Sequence, residues 1–398
     1  MKLLWVKTDF LHPTTRGGQI RTLEMLRRIH QRHEVHYICF DDPAVAEGPA
    51  QAHEYCAYAY TVPHRAPEKS LTSPAFLAQL ANGLVSSMPV AVNRWSSRAM
   101  YEKIAAISQQ HKFDAVVCDF LFPAPNVPAL ERSVLFQHNV EAMIWRRHAS
   151  QAAGLPRKMF FKLQARRMEA YERHVCNTVR RVIAVSEADA KVMRAQYGVK
   201  DVQAVATGVD LEYFTPPEKL PAENPQFDLV FVGSMDWMPN VDGIEWLETQ
   251  ILPLIRSRRP QTTLAIVGRK PSAAIQALAA RDPLITVTGT VPDVRPYLWG
   301  SQVSIVPLRI GGGTRLKIFE SMAARTPVVS TAIGAEGLNV THGRDIVLAD
   351  SPQAFADACI ETLADADRAR ELSTRAYDLV AAHYGWDAIA HQFEAMLA

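Results

Sequence analysis

Val303-Ser-Ile-Val-Pro-Leu-Arg-Ile-Gly311-Gly312-Gly313-Thr314-Arg315-Leu-Lys317-Ile-Phe-Glu320-Ser-Met-Ala-Ala, residues 303–324, decides how the chain is read. An apolar run ends at Leu308, three glycines follow, and from Arg315 onward the pattern becomes helical. Strand, glycine turn and helix make up the repeating unit of doubly wound α/β proteins. Glycines let a ligand come close to the backbone, and the first turn of a helix presents free N–H groups to an anion. Arg315 and Lys317 put two cations where the helix dipole is already positive, which costs stability unless an anion sits there. Glu320 falls in the second helical turn, placed to accept hydrogen bonds from a ribose diol. The plainer alternative is an ordinary loop with surface charges, but three glycines joined to two misplaced cations favour the anion site.

Outward from this stretch the same unit recurs. Residues 3–6 precede Gly17-Gly18 and a helical pattern at Ile20, Leu23, Leu26 and Ile29. Residues 229–232 precede Gly233 and a pattern at Ile244, Leu247 and Ile251. Further strand-like runs occupy 35–40, 115–118, 134–137 and 182–185, then 263–267, 285–288, 303–307 and 328–331. Alternating strands and helices predict parallel sheets in two Rossmann-like, doubly wound α/β domains facing a central cleft. Four prolines within the eleven residues 215–225 mark a linker. It divides a first domain, 1–215, from a second, 216–384. An amphipathic helix within 385–398, apolar at 386, 389, 393 and 397, is expected to pack back on the first domain.

Bulk properties agree with two soluble domains. The chain has 398 residues, 48% hydrophobic and 21% charged, with no apolar stretch long enough to span a bilayer. Its first residues meet Asp9 too early for a signal peptide and read as a strand. Five widely spaced cysteines, an odd number without a Cys-x-x-Cys pair, exclude a disulfide framework or zinc site and indicate a reducing cytoplasm.

His138 follows the strand 134–137, and a histidine at the carboxyl end of a strand faces the ligand side of an α/β sheet. Glu141 has two readings: a cleft carboxylate for an acceptor, or a first-turn helix residue stabilised by the dipole. Gly17 and Gly18 are either a phosphate-approaching turn, favoured by Arg16 and Arg21 beside them, or a simple helix entry.

Taken together, 311–323, Thr326-Pro-Val-Val-Ser-Thr331, Gly334-Ala-Glu-Gly337, Val182-Ile-Ala-Val-Ser-Glu187, Gly208-Val-Asp210 and Gly289-Thr-Val-Pro-Asp293 resemble, along nearly the whole chain, the retaining glycosyltransferases of family 4. Within that family the resemblance is to the bacterial exopolysaccharide and cell-surface sugar transferase type. It implies the GT-B fold and metal-independent transfer of a sugar from a nucleoside diphosphate donor, of UDP or GDP type, with retention and without a cofactor. It makes Glu320 the ribose carboxylate and His138 a donor-sugar contact. It sets Gly17 and Gly18 on the diphosphate, and Arg269 and Val291 in loops beside the base. The family commonly carries two glutamates eight residues apart, and the first position here is Gly312. Where many members place an arginine and a lysine after the glycine at 233, this chain has Ser234 and Asn240. Arg315 and Lys317 are then the expected phosphate cations, with Gly311, Gly312, Gly313 and Thr314 supplying amides.

Between residues 145 and 181 lie ten Lys or Arg against two Glu, in a chain whose total charge is only +2. The cations interleave with Phe160, Phe161 and Leu163. The block is either an anionic-membrane surface where a lipid-linked or glycan acceptor waits, placing the enzyme on the inner face of the membrane, or a solvated helix face. No recognised motif supports nucleic acid. A nucleotide-sugar epimerase and a non-catalytic sugar-binding scaffold are the competing readings. A nicotinamide dehydrogenase is excluded by the absence of Gly-x-Gly-x-x-Gly after a strand.

Overall fold

The computed structural model describes residues 1–14, 17–41, 47–64, 86–151, 154–235, 237–310 and 316–398. The chain forms two compact units, Met1–Ala206 with Ile389–Ala398, and Thr207–Ala388. The proline-rich stretch 215–225 lies inside the second unit and carries no regular structure from 215 to 226.

In the first unit β1 (Lys2–Val6), β2 (Glu34–Asp41), β3 (Tyr58–Pro63), β4 (Ala115–Asp119), β5 (Val134–Gln137), β6 (Arg181–Ala184) and β7 (Val202–Ala204) form one parallel sheet ordered β3-β2-β1-β4-β5-β6-β7. In the second, β8 (Phe227–Val232), β9 (Leu264–Val267), β10 (Ile285–Gly289), β11 (Ser301–Val306), β12 (Val328–Ser330) and β13 (Val347–Leu348) form another, ordered β10-β9-β8-β11-β12-β13. Every strand pair is parallel. Strand order reverses between β1 and β4 and between β8 and β11, the switch points beside which α/β sheets bind ligands. Helices on both faces explain the composition of the central strands: Leu3, Leu4, Trp5 and Val6 have no exposed surface.

Five helices bear on the site: α1 (Gly17–Ile29), α2 (Glu141–Gln151), α3 (Leu155–Thr178), α4 (Leu316–Ala323) and α5 (Trp386–Leu397). Leu23, Leu26 and Ile29 of α1 are buried as their spacing predicts, but Ile20 is 46% exposed. The first turns of α1 turn Gln19, Arg21 and Thr22 inward instead. From Ile389 onward α5 belongs to the first unit. Its Phe393 is fully buried, with ring centroids 5.5 Å from Trp5 and 4.9 Å from Phe136. Arg180 and Arg181 hold the end of α5 by donating to the carbonyls of Leu397 and Met396. No described helix is long and apolar enough to cross a membrane.

Truncating Phe393 to alanine removes this contact and leaves a cavity against Trp5. Phe393→Ala is expected to destabilise the chain by about 3–5 kcal/mol, read as a lower denaturant midpoint. A loss below about 1 kcal/mol would show that α5 is a loosely attached tail.

Candidate functional site

At the switch point of the first sheet, the carboxyl ends of β1, β4 and β5 bring Lys7, Asp119 and His138 together. Asp119 and the side chain of Lys7 are almost completely buried. All four acceptor sites of the Asp119 carboxylate are filled. Oδ2 accepts from Trp5 Nε1 at 2.8 Å and from Thr22 Oγ1 at 2.7 Å. Oδ1 lies 2.9 Å from Lys7 Nζ and 2.7 Å from His138 Nε2. Although burial alone would raise its pKa, Lys7 and His138 hold Asp119 well below the usual carboxylate range.

His138 is only 5% exposed. Its ring stacks on Phe120 at 4.6 Å and tilts against Phe136 at 4.4 Å. Phe120 has φ +81°, a left-handed backbone that a phenylalanine seldom adopts. Burial lowers the His138 pKa to about 4, against the pull of Asp119, so the imidazole is neutral at physiological pH. Nδ1 is buried and unpartnered among the described residues. Gly18 lies beside it: a Cβ built there would stand 3.5 Å from Nδ1. The structure therefore brings Gly18 and His138 together. Arg21 is buried nearby, close enough to Asp119 and His138 to act on both electrostatically, and burial lowers its pKa to about 10.

Beyond His138, α2 opens on Glu141. Glu172 of α3 caps this helix, accepting from the backbone N–H of Glu141 at 2.8 Å and of Ala142 at 3.0 Å. Gln137 Nε2 and Tyr197 Oη donate to the same carboxylate, each at 2.8 Å. Glu141 is itself buried, and burial together with the neighbouring Glu172 charge pushes it up to about 7.

The second unit builds a different cluster at its own switch point. Gly233 follows β8 and Gly268 follows β9, and their backbones touch: a Cβ on Gly268 would stand 1.8 Å from the Gly233 carbonyl oxygen. Arg269 Nε donates to Ser234 Oγ at 2.8 Å. Lys317 of α4 reaches across to donate to Asn240 Oδ1 at 2.7 Å, its ammonium 4.3 Å from the centroid of the Phe231 ring. Asn240 Nδ2 donates in turn to the Ser234 carbonyl at 2.7 Å. A Cβ on Gly233 would stand 2.7 Å from Lys317 Nζ, so the amine lies directly over that backbone. Gly233, Ser234, Arg269 and Lys317 thus form one group. Glu320, one turn beyond Lys317, is partly buried. Burial raises its pKa against the pull of Lys317, and its carboxylate makes no hydrogen bond to a described residue. Val291 is partly buried and packs on the apolar core that includes Val267 and Leu298. Gly311, Gly312, Gly313, Thr314 and Arg315 lie outside the described residues, as does Arg16; Gly17 opens α1.

With this geometry, residues 15–213 match the family described as Glycosyltransferase Family 4, and residues 226–365 match the one described as Glycosyl transferases group 1. The chain belongs to glycosyltransferase family 4. It is 20% identical, over 96% of both chains, to a 44.6 kDa protein of the cps region of Klebsiella pneumoniae. It is 24% identical to a GDP-mannose-dependent α-(1-6)-phosphatidylinositol monomannoside mannosyltransferase of Mycobacterium tuberculosis, over 79% of this chain and 90% of that one. Among solved structures it resembles Anabaena HepE in complex with UDP and glucose, with a TM-score of 0.62, 14% identity, and coverage of 100% and 99% of the two chains. Two parallel α/β units of this kind are the GT-B fold.

Sequence reading of this glycosyltransferase missed Asp119 and Lys7. Their only signal was position at a strand end. Asp119 is the one carboxylate in the apolar run 115–119, at the same sheet level as the histidine one strand away, and Lys7 directly follows β1. Arg269 and Lys317 also stand nearer the family's expected cation positions than linear spacing shows, because each arrives from a neighbouring element.

The basic block forms α2, α3 and the start of β6. Arg157, Lys158, Lys162 and Arg166 are exposed on α3. The apolar residues beside Lys162 and Arg166 are Leu155, 72% exposed, and Met159, 61% exposed. Phe160, Phe161 and Leu163 are partly buried; Phe161 packs against Trp145 at 6.0 Å and His148 at 5.6 Å. Positions 155, 159, 162 and 166 follow the i, i+4, i+7 stripe of one helix face, whereas Phe161 turns toward α2.

Glu141 makes stability depend on pH in a defined direction. Its folded pKa, about 7, lies above the ordinary 4.5. Between those values the folded protein keeps a proton that the unfolded chain has released. Stability therefore falls as pH rises through that window and levels off above it. Glu141→Gln removes the effect. Its melting temperature should exceed the parent's at about pH 8, and the gap should close toward about pH 4. A constant gap across the range would show that Glu141 ionises normally.

Proposed function

We propose that the chain transfers a glycosyl group, with retention and without a metal, from a nucleoside diphosphate sugar of UDP or GDP type to a glycan or lipid-linked acceptor of a cell-surface polysaccharide. The observation that carries this reading is the convergence of Arg269 and Lys317 on the touching Gly233 and Gly268 backbones, with Glu320 one helical turn further on. Two cations beside closely approaching glycine backbones suit a diphosphate, and a carboxylate without a hydrogen bond to a described residue suits a ribose diol. As the glycosidic bond breaks, charge grows on the departing phosphate; Lys317, Arg269 and Arg315 stabilise it electrostatically. In the first unit His138 receives a hydroxyl of the sugar. The UDP and glucose bound by HepE, the GDP-mannose of the mycobacterial relative and the cps setting of the Klebsiella relative support the donor and acceptor classes.

Incubating the full chain with a panel of nucleotide sugars and following nucleoside diphosphate release tests the reaction. Glu320→Ala should weaken nucleoside diphosphate binding by about 1.5–3 kcal/mol, the size of a hydrogen bond to a charged group. Lys317→Ala should lower turnover more than it weakens nucleoside binding. Binding without turnover across the panel would make the chain a sugar-nucleotide-binding scaffold, and conversion of the sugar without an acceptor would make it an epimerase.

The exposed α3 face brings the enzyme to an anionic bilayer on its cytoplasmic side. Lys162 and Arg166 on that face and Lys158 at its border, at about 1 kcal/mol each near such a surface, with Leu155 and Met159 to enter the headgroups, suffice for peripheral binding. Co-sedimentation with anionic vesicles, reversed by salt and weakened in a Leu155→Glu/Met159→Glu double variant, is the expected result. Equal binding to neutral vesicles, or none to either, would leave this face merely solvated.

A further inference from the structure

The charges around His138 are arranged more completely than burying a histidine requires. Asp119 Oδ1 accepts only, so the proton at the 2.7 Å contact belongs to His138 Nε2. The carboxylate cannot turn away, because Trp5 Nε1 and Thr22 Oγ1 hold Oδ2 while Lys7 Nζ holds Oδ1. The ring cannot turn either, clasped between Phe120 and Phe136. The charged groups acting on the imidazole are Asp119, Lys7 and Arg21; the two cations oppose a second proton. Nδ1 is left as a bare acceptor, buried and unpartnered among the described residues, beside Gly18 of α1's first turn, which has no side chain to cover it. An unsatisfied buried acceptor costs about 1–3 kcal/mol and persists where a ligand supplies the donor.

We infer that Asp119 is a positioning residue for the transfer reaction: locked by Lys7, Trp5 and Thr22, it holds His138 as the Nε2–H tautomer, so that Nδ1 accepts a hydrogen bond from a substrate hydroxyl arriving beside Gly18. This rests on the reading of His138 as a sugar contact and adds the device that orients it. Asp119 itself touches no substrate. Its carboxylate acts through the imidazole, as a carboxylate behind a catalytic or ligating histidine does elsewhere.

Two measurements on the full chain decide the matter. In protein labelled with 15N-histidine, protonated and unprotonated ring nitrogens resonate apart. The parent His138 should show a protonated Nε2 and an unprotonated Nδ1 without any ligand, and Asp119→Asn should disturb that pattern. The second is a double-mutant cycle on kcat. Asp119→Asn should lower kcat about tenfold or more with His138 present and less than about twofold in a His138→Ala background, because its effect passes through the ring. Thr22→Val, which removes one Asp119 donor and no charge, should move both readouts the same way by less, and it replaces Asp119→Asn if that variant fails to fold. A parent His138 protonated on Nδ1, or equal losses in both backgrounds, overturns the proposal. If no sugar nucleotide is turned over, the 15N pattern still decides the tautomer, so failure of the functional reading and failure of the positioning device are told apart.

Discussion

A fully buried carboxylate is the constraint on which the first unit turns. Removing an ion from water costs several kcal/mol even after relaxation, and the cost is met only if every lone pair finds a donor. Asp119 finds four, on β1, the residue after it, α1 and the residue after β5. Trp5 and Lys7 are two residues apart and so point to the same face, the face that α1 covers with Thr22. One carboxylate thus fixes how three adjacent strand ends and the first helix meet. It also joins the site to the core. The Trp5 ring that donates to Asp119 packs its other edges on Phe136 and on Phe393 of the C-terminal helix.

The second unit meets the opposite demand. Among the described residues at its switch point, no carboxylate is as fully buried as Asp119. Instead Gly233 and Gly268 let two backbones touch, and Arg269 and Lys317 are led to that spot by Ser234 and Asn240. Lys317 is the more constrained of the two, with its ammonium over the Phe231 face and its hydrogen bond spent on Asn240. A lysine so held has lost much of its rotamer freedom before any ligand binds, which lowers the ordering cost of a later contact.

The central strands were legible because they are buried on both faces and read as unbroken apolar runs, as 3–6, 115–118, 229–232 and 303–307 do. Three strands were not: β3, β7 and β13, all at sheet edges. β3 reads Tyr-Ala-Tyr-Thr-Val-Pro with its first two residues exposed, and β13 is two residues long, so neither presents the pattern of a buried strand. Ile20 was misread for a related reason. Helical periodicity locates an apolar stripe, but at the first turns of α1 the inward positions serve the charge cluster, and an isoleucine was displaced to solvent. Among the candidate residues, His138, Gly233, Lys317 and Glu320 were legible through the motifs that carry them. Asp119 was not, because a single aspartate at a strand end has no local spacing to distinguish it; its role comes from strands that are neighbours only in space.

The same distinction bears on the residues this chain lacks. Ser234 and Asn240 stand where the family pattern has cations, and read along the sequence they are losses of charge. In the fold they are anchors. Ser234 Oγ receives Arg269 from the end of the adjacent strand, and Asn240 Oδ1 receives Lys317 from α4, 77 positions away in the sequence. Lys317 thus lies over the Gly233 backbone and Arg269 stands beside it at Ser234, the stretch that the pattern would have served from its own loop. An electrostatic site is defined by where charge stands, and a long flexible side chain supplies it from any element within reach. Absence of a motif residue is therefore weak ground for calling a site inactive until the neighbouring strand end and the facing helix have been searched for a replacement. Gly312 can be judged by the same rule only through its own surroundings: a missing carboxylate is a loss of function when no backbone amide or neighbouring side chain offers the sugar hydroxyls a partner in its place.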